Sequence, residues 1–203
     1  MAHIALIGAS GQAGSRILQE LSRRGHQVTA LARHPEKIAV LPGVIARRAD
    51  VYDQAGLIEA LRGHDAVISA VHFTASDTAA LLAAVKASSV PRYLVVGGAG
   101  SLEVAPGKRV LDLPDFPAAY LAEATKGAEF LEQLRAEKAL NWTFLSPSAE
   151  FVAGERTGQF RLGKDTLLSN ETGSRISFED YAIALVDELE KPAHSRQRFT
   201  VGY

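Results

Sequence analysis

Short apolar runs alternate with amphipathic stretches along the first 145 residues, and glycine or proline marks most of the junctions. Residues 3–7 are nearly continuous in apolar side chains and too short for an amphipathic helix, so they read as a strand buried on both faces. After it, Ala13, Ile17 and Leu21 fall at i, i+4 and i+8, the apolar stripe of a helix that Arg23, Arg24 and Gly25 suit as a C-terminus. The same reasoning predicts strands over 28–32, from 44–46 running on into 50–53, over 65–71, over 92–96 and over 141–145. Helices are predicted over 54–62 around Leu57, Ile58 and Leu61, over 78–89 around Leu81, Leu82 and Val85, and over 118–138. A loop rich in glycine and proline covers 102–117.

Six such alternations imply an α/β fold, a Rossmann-like doubly wound parallel sheet with helices on both faces. Ligands of such sheets sit outside the carboxyl ends of the strands, so the residues just after each strand are the ones to watch. Residues 146–203 change character. Gly154, Gly158, Gly163 and Gly173 break up short strand-like pieces such as 159–162. Ser177-Phe178-Glu179-Asp180 resembles a capping box opening a helix through Glu190, Pro192 follows it, and 199–201 suits a final strand. This segment is too small to fold alone. It is expected to be a substrate-side cap and closing elements within a single domain over 1–203.

Composition narrows the function classes. The chain has 203 residues, 47% of them hydrophobic, enough for a sizeable core. A net charge of -1 gives no global field for nucleic acid or membrane surfaces. The absence of cysteine removes disulfides and thiolate chemistry, and no metal site is expected. No apolar run approaches about 18 residues, and the chain enters a strand at once without a leader pattern. A cytoplasmic protein with a small-molecule partner is expected, with its oligomeric state left open.

The chemistry centres on Gly8-Ala9-Ser10-Gly11-Gln12-Ala13-Gly14, a GxxGxxG turn between the first strand and the first helix. Such a turn presents bare N–H groups to a pyrophosphate at the positive end of the helix dipole. Gly8 makes the turn, Gly11 lets main chain approach the phosphates, and Gly14 brings the helix close to the strand. Ser10, Gln12 and Ala13 add hydroxyl and N–H donors. No carboxylate stands between Gly11 and Ser15. The end of the second strand carries Arg33, with no acid before Glu36. A ribose-binding carboxylate is the usual mark of NAD, whereas a guanidinium suits a 2′-phosphate, so NADP(H) is preferred over NAD(H). Asp50-Val51 reads as the border of the adenine or as a plain turn. Ala70-Val71 and Gly97 read as small residues flanking the nicotinamide or as close packing. Ser146-Pro147 reads as pocket lining beside the nicotinamide. Arg156 reads either as a clamp for an anionic substrate group or as a salt-bridge partner.

The chain resembles an atypical short-chain dehydrogenase/reductase of the NmrA-like group, in particular the NADH-flavin reductase family. The resemblance rests on 8–14, on Ala32-Arg33-His34-Pro35-Glu36-Lys37, and on Val95-Val96-Gly97-Gly98-Ala99-Gly100-Ser101-Leu102. It continues through Trp142-Thr143-Phe144-Leu145-Ser146-Pro147, Gly154-Glu155-Arg156-Thr157-Gly158 and 174–181, essentially the whole chain. It implies a nicotinamide dinucleotide cofactor and is less specific for the substrate. Standard members use Tyr-x-x-x-Lys, whose lysine lowers the tyrosine pKa and binds ribose. Here Tyr120 is followed by Ala124, and the nearest lysine, Lys126, lies roughly 120° away around the helix. That pair is absent or badly placed, and the catalytic residues are not assigned. Tyr120, Ser101 and His72 are candidates, each with the plainer reading of a packed or solvated loop residue.

These features lead to hydride transfer from NADPH to a flavin, quinone or similar small acceptor, with flavin as a substrate rather than a prosthetic group. The alternative is a non-catalytic NAD(P)-sensing protein of NmrA type. Sugar epimerase or dehydratase chemistry ranks below both, because it relies on the same Tyr/Lys pair.

Overall fold

A computed structural model describes residues 1–203. Its strands are β1 (His3–Ile7), β2 (Gln27–Ala32), β3 (Val44–Arg48), β4 (Ala66–Ser69), β5 (Arg92–Val96), β6 (Glu103–Ala105), β7 (Lys108–Arg109), β8 (Asn141–Ser146), β9 (Glu150–Val152), β10 (Arg161–Gly163), β11 (Arg175–Ser177) and β12 (Gln197–Gly202). Its helices are α1 (Gln12–Arg23), α2 (Gln54–Leu61), α3 (Thr78–Ala87), α4 (Ala118–Ala136) and α5 (Phe178–Glu190).

Eight strands form one sheet in the order β3-β2-β1-β4-β5-β8-β12-β10. Every pairing in it is parallel except that of β10 on the edge. This is the doubly wound architecture that the alternation predicts. The chain steps outward from β1 to β3, then returns to the other side of β1 at β4. That reversal opens a crevice between the carboxyl ends of β1 and β4.

The period of two along each strand sorts side chains to two cores. Ile4 and Leu6 of β1 face a cluster with Ile17, Leu18 and Leu21 of α1 and Tyr181, Leu185 and Val186 of α5. Ala5 and Ile7 face the opposite cluster, with Leu57 of α2, Val85 of α3 and Phe130 and Leu134 of α4. Two buried hydroxyls are satisfied: Tyr181 donates to the Leu145 carbonyl at 2.7 Å, and Tyr93 pairs with Ser69 at 2.8 Å. Each would cost about 1–3 kcal/mol if left unpaired.

Three expectations are corrected. The third strand stops at Arg48 rather than running to Asp53, because two carboxylates turn the chain there. Asp50 accepts from the Tyr52 amide at 3.0 Å, and Asp53 caps α2 by accepting from Gly56 at 3.0 Å. The loop over 102–117 contains the hairpin β6–β7, turned at Gly107 with φ of 72°. Much of the C-terminal segment belongs to the main layers. There, α5 packs along α1, and β12 lies parallel to β8 inside the sheet. The part standing at the carboxyl edge is the short parallel pair β9–β11 with its connecting loops. No helix is long and apolar enough to cross a membrane.

Candidate functional site

The glycine turn is built by close backbone approach. Gly8 has φ of 82°, and a Cβ there would stand 2.4 Å from the Ala70 carbonyl oxygen. A Cβ on Gly14 would stand 2.1 Å from the Gly8 carbonyl oxygen, so α1 is held directly against the end of β1. Gly11 differs, since its Cβ would meet Gly8 O at 3.3 Å and Ala70 O at 3.9 Å. Packing within the protein accounts for glycine at positions 8 and 14. At position 11 it largely does not, and Gly11 with Ser10 and Gln12 is exposed at the mouth of the crevice.

The N-terminus of α1 has no side-chain cap and no acid in its first turn. By contrast, α2, α3 and α5 are capped by Asp53, Asp77 and Ser177, while α4, which starts after Pro117, shares the uncapped start but has no glycine turn before it. Free N–H groups at a helix start, beside a glycine with no side chain in the way, are what an anionic pyrophosphate requires. Ala70 and Val71 lie against this turn, Val71 Cγ1 standing 3.1 Å from the position of a Gly8 Cβ. The structure thus brings 8–14 and 70–71 together as one wall.

Arg33 follows β2 at the same rim, exposed and without an ion pair. Arg48 ends the neighbouring β3 in register with Ala32, and it too is exposed and unpaired. Sequence reasoning missed Arg48, whose only signal was a basic residue ending the strand beside β2. Asp50 and Val51 lie in the turn just beyond, Asp50 using one carboxylate oxygen to hold it.

The far side of the edge departs further from expectation. Glycine at Gly97 is explained by packing, because a Cβ there would stand 2.3 Å from the Phe144 ring. Ser146 and Pro147 do not line an open pocket. Both are buried, and the Ser146 hydroxyl accepts from Arg198 at 3.3 Å. The same guanidinium donates to Ser101 Oγ at 3.2 Å and to Asp165 at 2.6 Å. Burial depresses the Arg198 pKa, opposed by Asp165. Ser101 is therefore tied beneath the edge by Arg198, an arginine that no motif singles out.

Arg156 is corrected as a substrate clamp. Its Nε and Nη2 bind both carboxylate oxygens of Glu20, at 3.0 and 2.9 Å. Burial of Glu20 works against its charge, but Arg156 and Arg24 outweigh that and hold its pKa below the usual range. The loop after Arg156 is fixed by the buried Asp180, which accepts from Gly158 N at 2.8 Å and from the Tyr203 hydroxyl at 2.9 Å. Tyr120 stands 66% exposed in the first turn of α4. His72 is exposed just past β4, one nitrogen 3.3 Å from Glu123. A cavity of about 500 Å³ lies at the opposite, amino-terminal rim among His26, Asp65, Arg92 and Glu190, away from these residues.

An uncapped glycine turn at the reversal point of a doubly wound sheet defines a dinucleotide-binding protein. The comparisons agree: the NAD(P)H-binding family model matches residues 8–192, and the chain belongs to that family. It is 43% identical to the YwnB protein of Bacillus subtilis (strain 168), over 98% of this chain and 97% of that one. Among solved structures it is similar to a putative epimerase from Bacteroides thetaiotaomicron, with a TM-score of 0.94, 43% identity, and coverage of 99% of this chain and 96% of that one. It is also similar to a putative NADH-flavin reductase from Streptococcus pneumoniae TIGR4, with a TM-score of 0.86, 39% identity, and coverage of 100% and 99%.

Proposed function

We propose that this protein is an NADPH-dependent reductase that passes hydride to a flavin, a quinone or a similar small acceptor. The observation that carries this reading is the open turn at Gly11, packed on Ala70 and flanked by the unpaired Arg33. The cofactor supplies a transferable hydride, and the protein's part is to bind, orient and exclude water. The main-chain N–H groups of Ser10, Gln12 and Ala13 would hold the pyrophosphate, those of Gly8, Ala9 and Gly11 being spent on shaping the turn by donating to the Leu31 and Gly8 carbonyls. Arg33, with Arg48 beside it, takes the 2′-phosphate, and Ala70-Val71 back the ring side.

The two solved relatives carry different names, and the Tyr/Lys geometry favours one of them. Tyr120 and Lys126 lie six residues apart on α4, and Ala124 occupies the position that would face Tyr120. Epimerase chemistry of the short-chain type needs that lysine beside the tyrosine. Hydride transfer to a flavin or quinone does not. NADPH oxidation with FMN, riboflavin or a quinone as acceptor tests the reading. Tight NADPH binding without turnover of any of them would replace it with a dinucleotide sensor.

Cofactor choice has its own test. Arg33→Glu is expected to weaken NADPH binding on the order of 10- to 100-fold, the loss of one charge-assisted contact of about 1.5–3 kcal/mol. NADH, lacking the 2′-phosphate, should respond far less. Calorimetry with both cofactors measures this, and an unchanged NADPH affinity would remove the 2′-phosphate assignment.

A further inference from the structure

Beside the glycine turn, the loop after β4 carries an arrangement that no motif announces. It leaves the sheet at Ala70, passes through Val71 and His72, and closes into one 3-10 turn, Phe73–Ala75. Two anchors fix it. The Phe73 ring is buried, stacked on Phe144 at 6.2 Å and edge-on to Phe130 at 6.0 Å. Gly127 of α4 makes room for it, since a Cβ there would stand 2.8 Å from that ring.

The second anchor is Glu123 of α4. Its Oε1 accepts from the Phe73 amide at 2.7 Å and stands 3.3 Å from Nδ1 of His72. Its Oε2 accepts from the Thr74 amide at 2.8 Å and from the Thr74 hydroxyl at 2.7 Å. Burial opposes the charge on Glu123, but the Thr74 and Phe73 hydrogen bonds outweigh it, so the carboxylate stays ionised below the ordinary range. The His72 side chain is 84% exposed, and its Nε2 has no partner in the protein. An imidazole with one nitrogen held by a carboxylate and the other free, on a backbone pinned from both sides, is the arrangement of an oriented acid–base group. It sits one residue beyond Val71, which touches the glycine turn.

We propose that His72, oriented by Glu123, is the proton donor of this edge, and that it fits the site to acceptors whose reduction leaves charge on one oxygen, quinones and conjugated carbonyls. The proposal rests on the reductase reading above. As hydride from the reduced dinucleotide reaches the acceptor, the Nε2–H bond of the His72 imidazolium breaks and an O–H bond forms on the acceptor oxygen. Water then returns a proton to Nε2. The dinucleotide loses two electrons, and the acceptor gains two electrons and two hydrogens. Flavins, which take hydride at a ring nitrogen and spread the charge, depend on the donor less. Glu123 is the positioning residue, fixing the tautomer with hydrogen on Nδ1.

One test reads the protein without cofactor or acceptor. Nitrogen NMR of the neutral His72 ring is expected to show the Nδ1–H tautomer in the wild type and its loss in Glu123→Gln, whose one acceptor oxygen serves the Thr74 amide and hydroxyl while its NH2 faces Nδ1 of His72. A wild-type ring with hydrogen on Nε2 overturns the proposal. Kinetically, His72→Asn is expected to lower the ratio of quinone to flavin kcat by about tenfold or more, at or below the usual 10²–10⁴ of general acid catalysis. The quinone KM should move less than kcat, and the solvent isotope effect on quinone turnover should disappear. An unchanged ratio with both acceptors still reduced overturns the donor role alone. Reduction of neither acceptor by the wild type, with NADPH still bound, overturns the reductase reading and the donor role with it.

Discussion

Replacing Gly14 by alanine is expected to abolish dinucleotide binding in a protein that still folds. The new methyl would stand 2.1 Å from the Gly8 carbonyl oxygen and 3.0 Å from its carbon, backbone atoms that cannot swing aside. Helix α1 must therefore lift off the end of β1, which overpacks the junction at about 1–3 kcal/mol. The N–H groups of Gln12 and Ala13 move with the helix, and a shift of this kind removes a multi-point phosphate contact. Gly11→Ala separates the two effects. Its methyl meets nothing nearer than 3.3 Å, so stability should fall by less than about 1 kcal/mol while NADPH affinity drops sharply. Calorimetry alongside thermal melting measures both variants. NADPH binding by Gly14→Ala at wild-type strength would mean that the turn does not seat the cofactor.

The largest loss of stability is expected from Glu188→Ala, far from the crevice. Glu188 is buried near the end of α5 and binds Arg92 Nη2 at 2.7 Å, His194 Nδ1 at 2.7 Å and the His194 amide at 3.0 Å. Arg92 is only 7% exposed, and its Nε already lacks a partner. Removing the carboxylate strands a buried cation and orphans nearby amides, a loss of about 3–5 kcal/mol. For a chain of this size the melting point should fall by roughly 6–20 °C. Glu188→Gln should lose less, because it keeps an acceptor.

The same residue gives a pH signature. Burial acts against its charge, but hydrogen bonds from His194 and Ala193 outweigh burial and hold its pKa below normal. A depressed folded pKa means that the stabilisation is complete above the unfolded value of about 4.3 and is lost as pH falls through the folded one. Glu20, Glu123 and Glu190 shift in the same direction. Unfolding free energy should therefore fall steeply below about pH 4, and less steeply in Glu188→Gln. Denaturant titrations between pH 3 and pH 6, on the order of one unit either side of the carboxylate range, measure the slope.

What was legible in the sequence follows from which interactions are local. Strands β1, β5 and β8 are readable because a parallel strand covered on both faces is mainly apolar, and 3–7, 92–96 and 141–145 each open on one polar residue and are apolar beyond it, save Thr143. The end of β3 is not, because Val51 and Tyr52 look like strand residues. The turn there is decided by where Asp50 and Asp53 aim their oxygens. The glycine turn, and the place of Arg33 just past the end of β2, are legible for the same reason of locality. Arg156 is not, since its partner Glu20 lies 136 residues earlier. Ser146 is turned inward by Arg198, 52 residues later, and His72 meets Glu123 across 51. Side chains just after a strand face either crevice or core, and a distant partner makes that choice.

The packing of α5 on α1 bears on how the protein comes to exist. Arg24 bonds Asp187 and Glu190, His26 bonds Glu190, and Arg16 bonds Glu179, contacts that span 163 to 166 residues. Between them Ile17, Leu18 and Leu21 share one cluster with Tyr181, Leu185 and Val186. During synthesis α1 leaves the ribosome early, and part of its apolar face stays bare until residues 178–190 arrive. Contacts of such long separation slow folding and prolong the exposure of sticky surface. Trp142, the only tryptophan, is buried on β8 in the opposite cluster, with Phe130 and Leu134 of α4. The helix that greets the dinucleotide is among the first parts of this chain to be made and among the last to be secured.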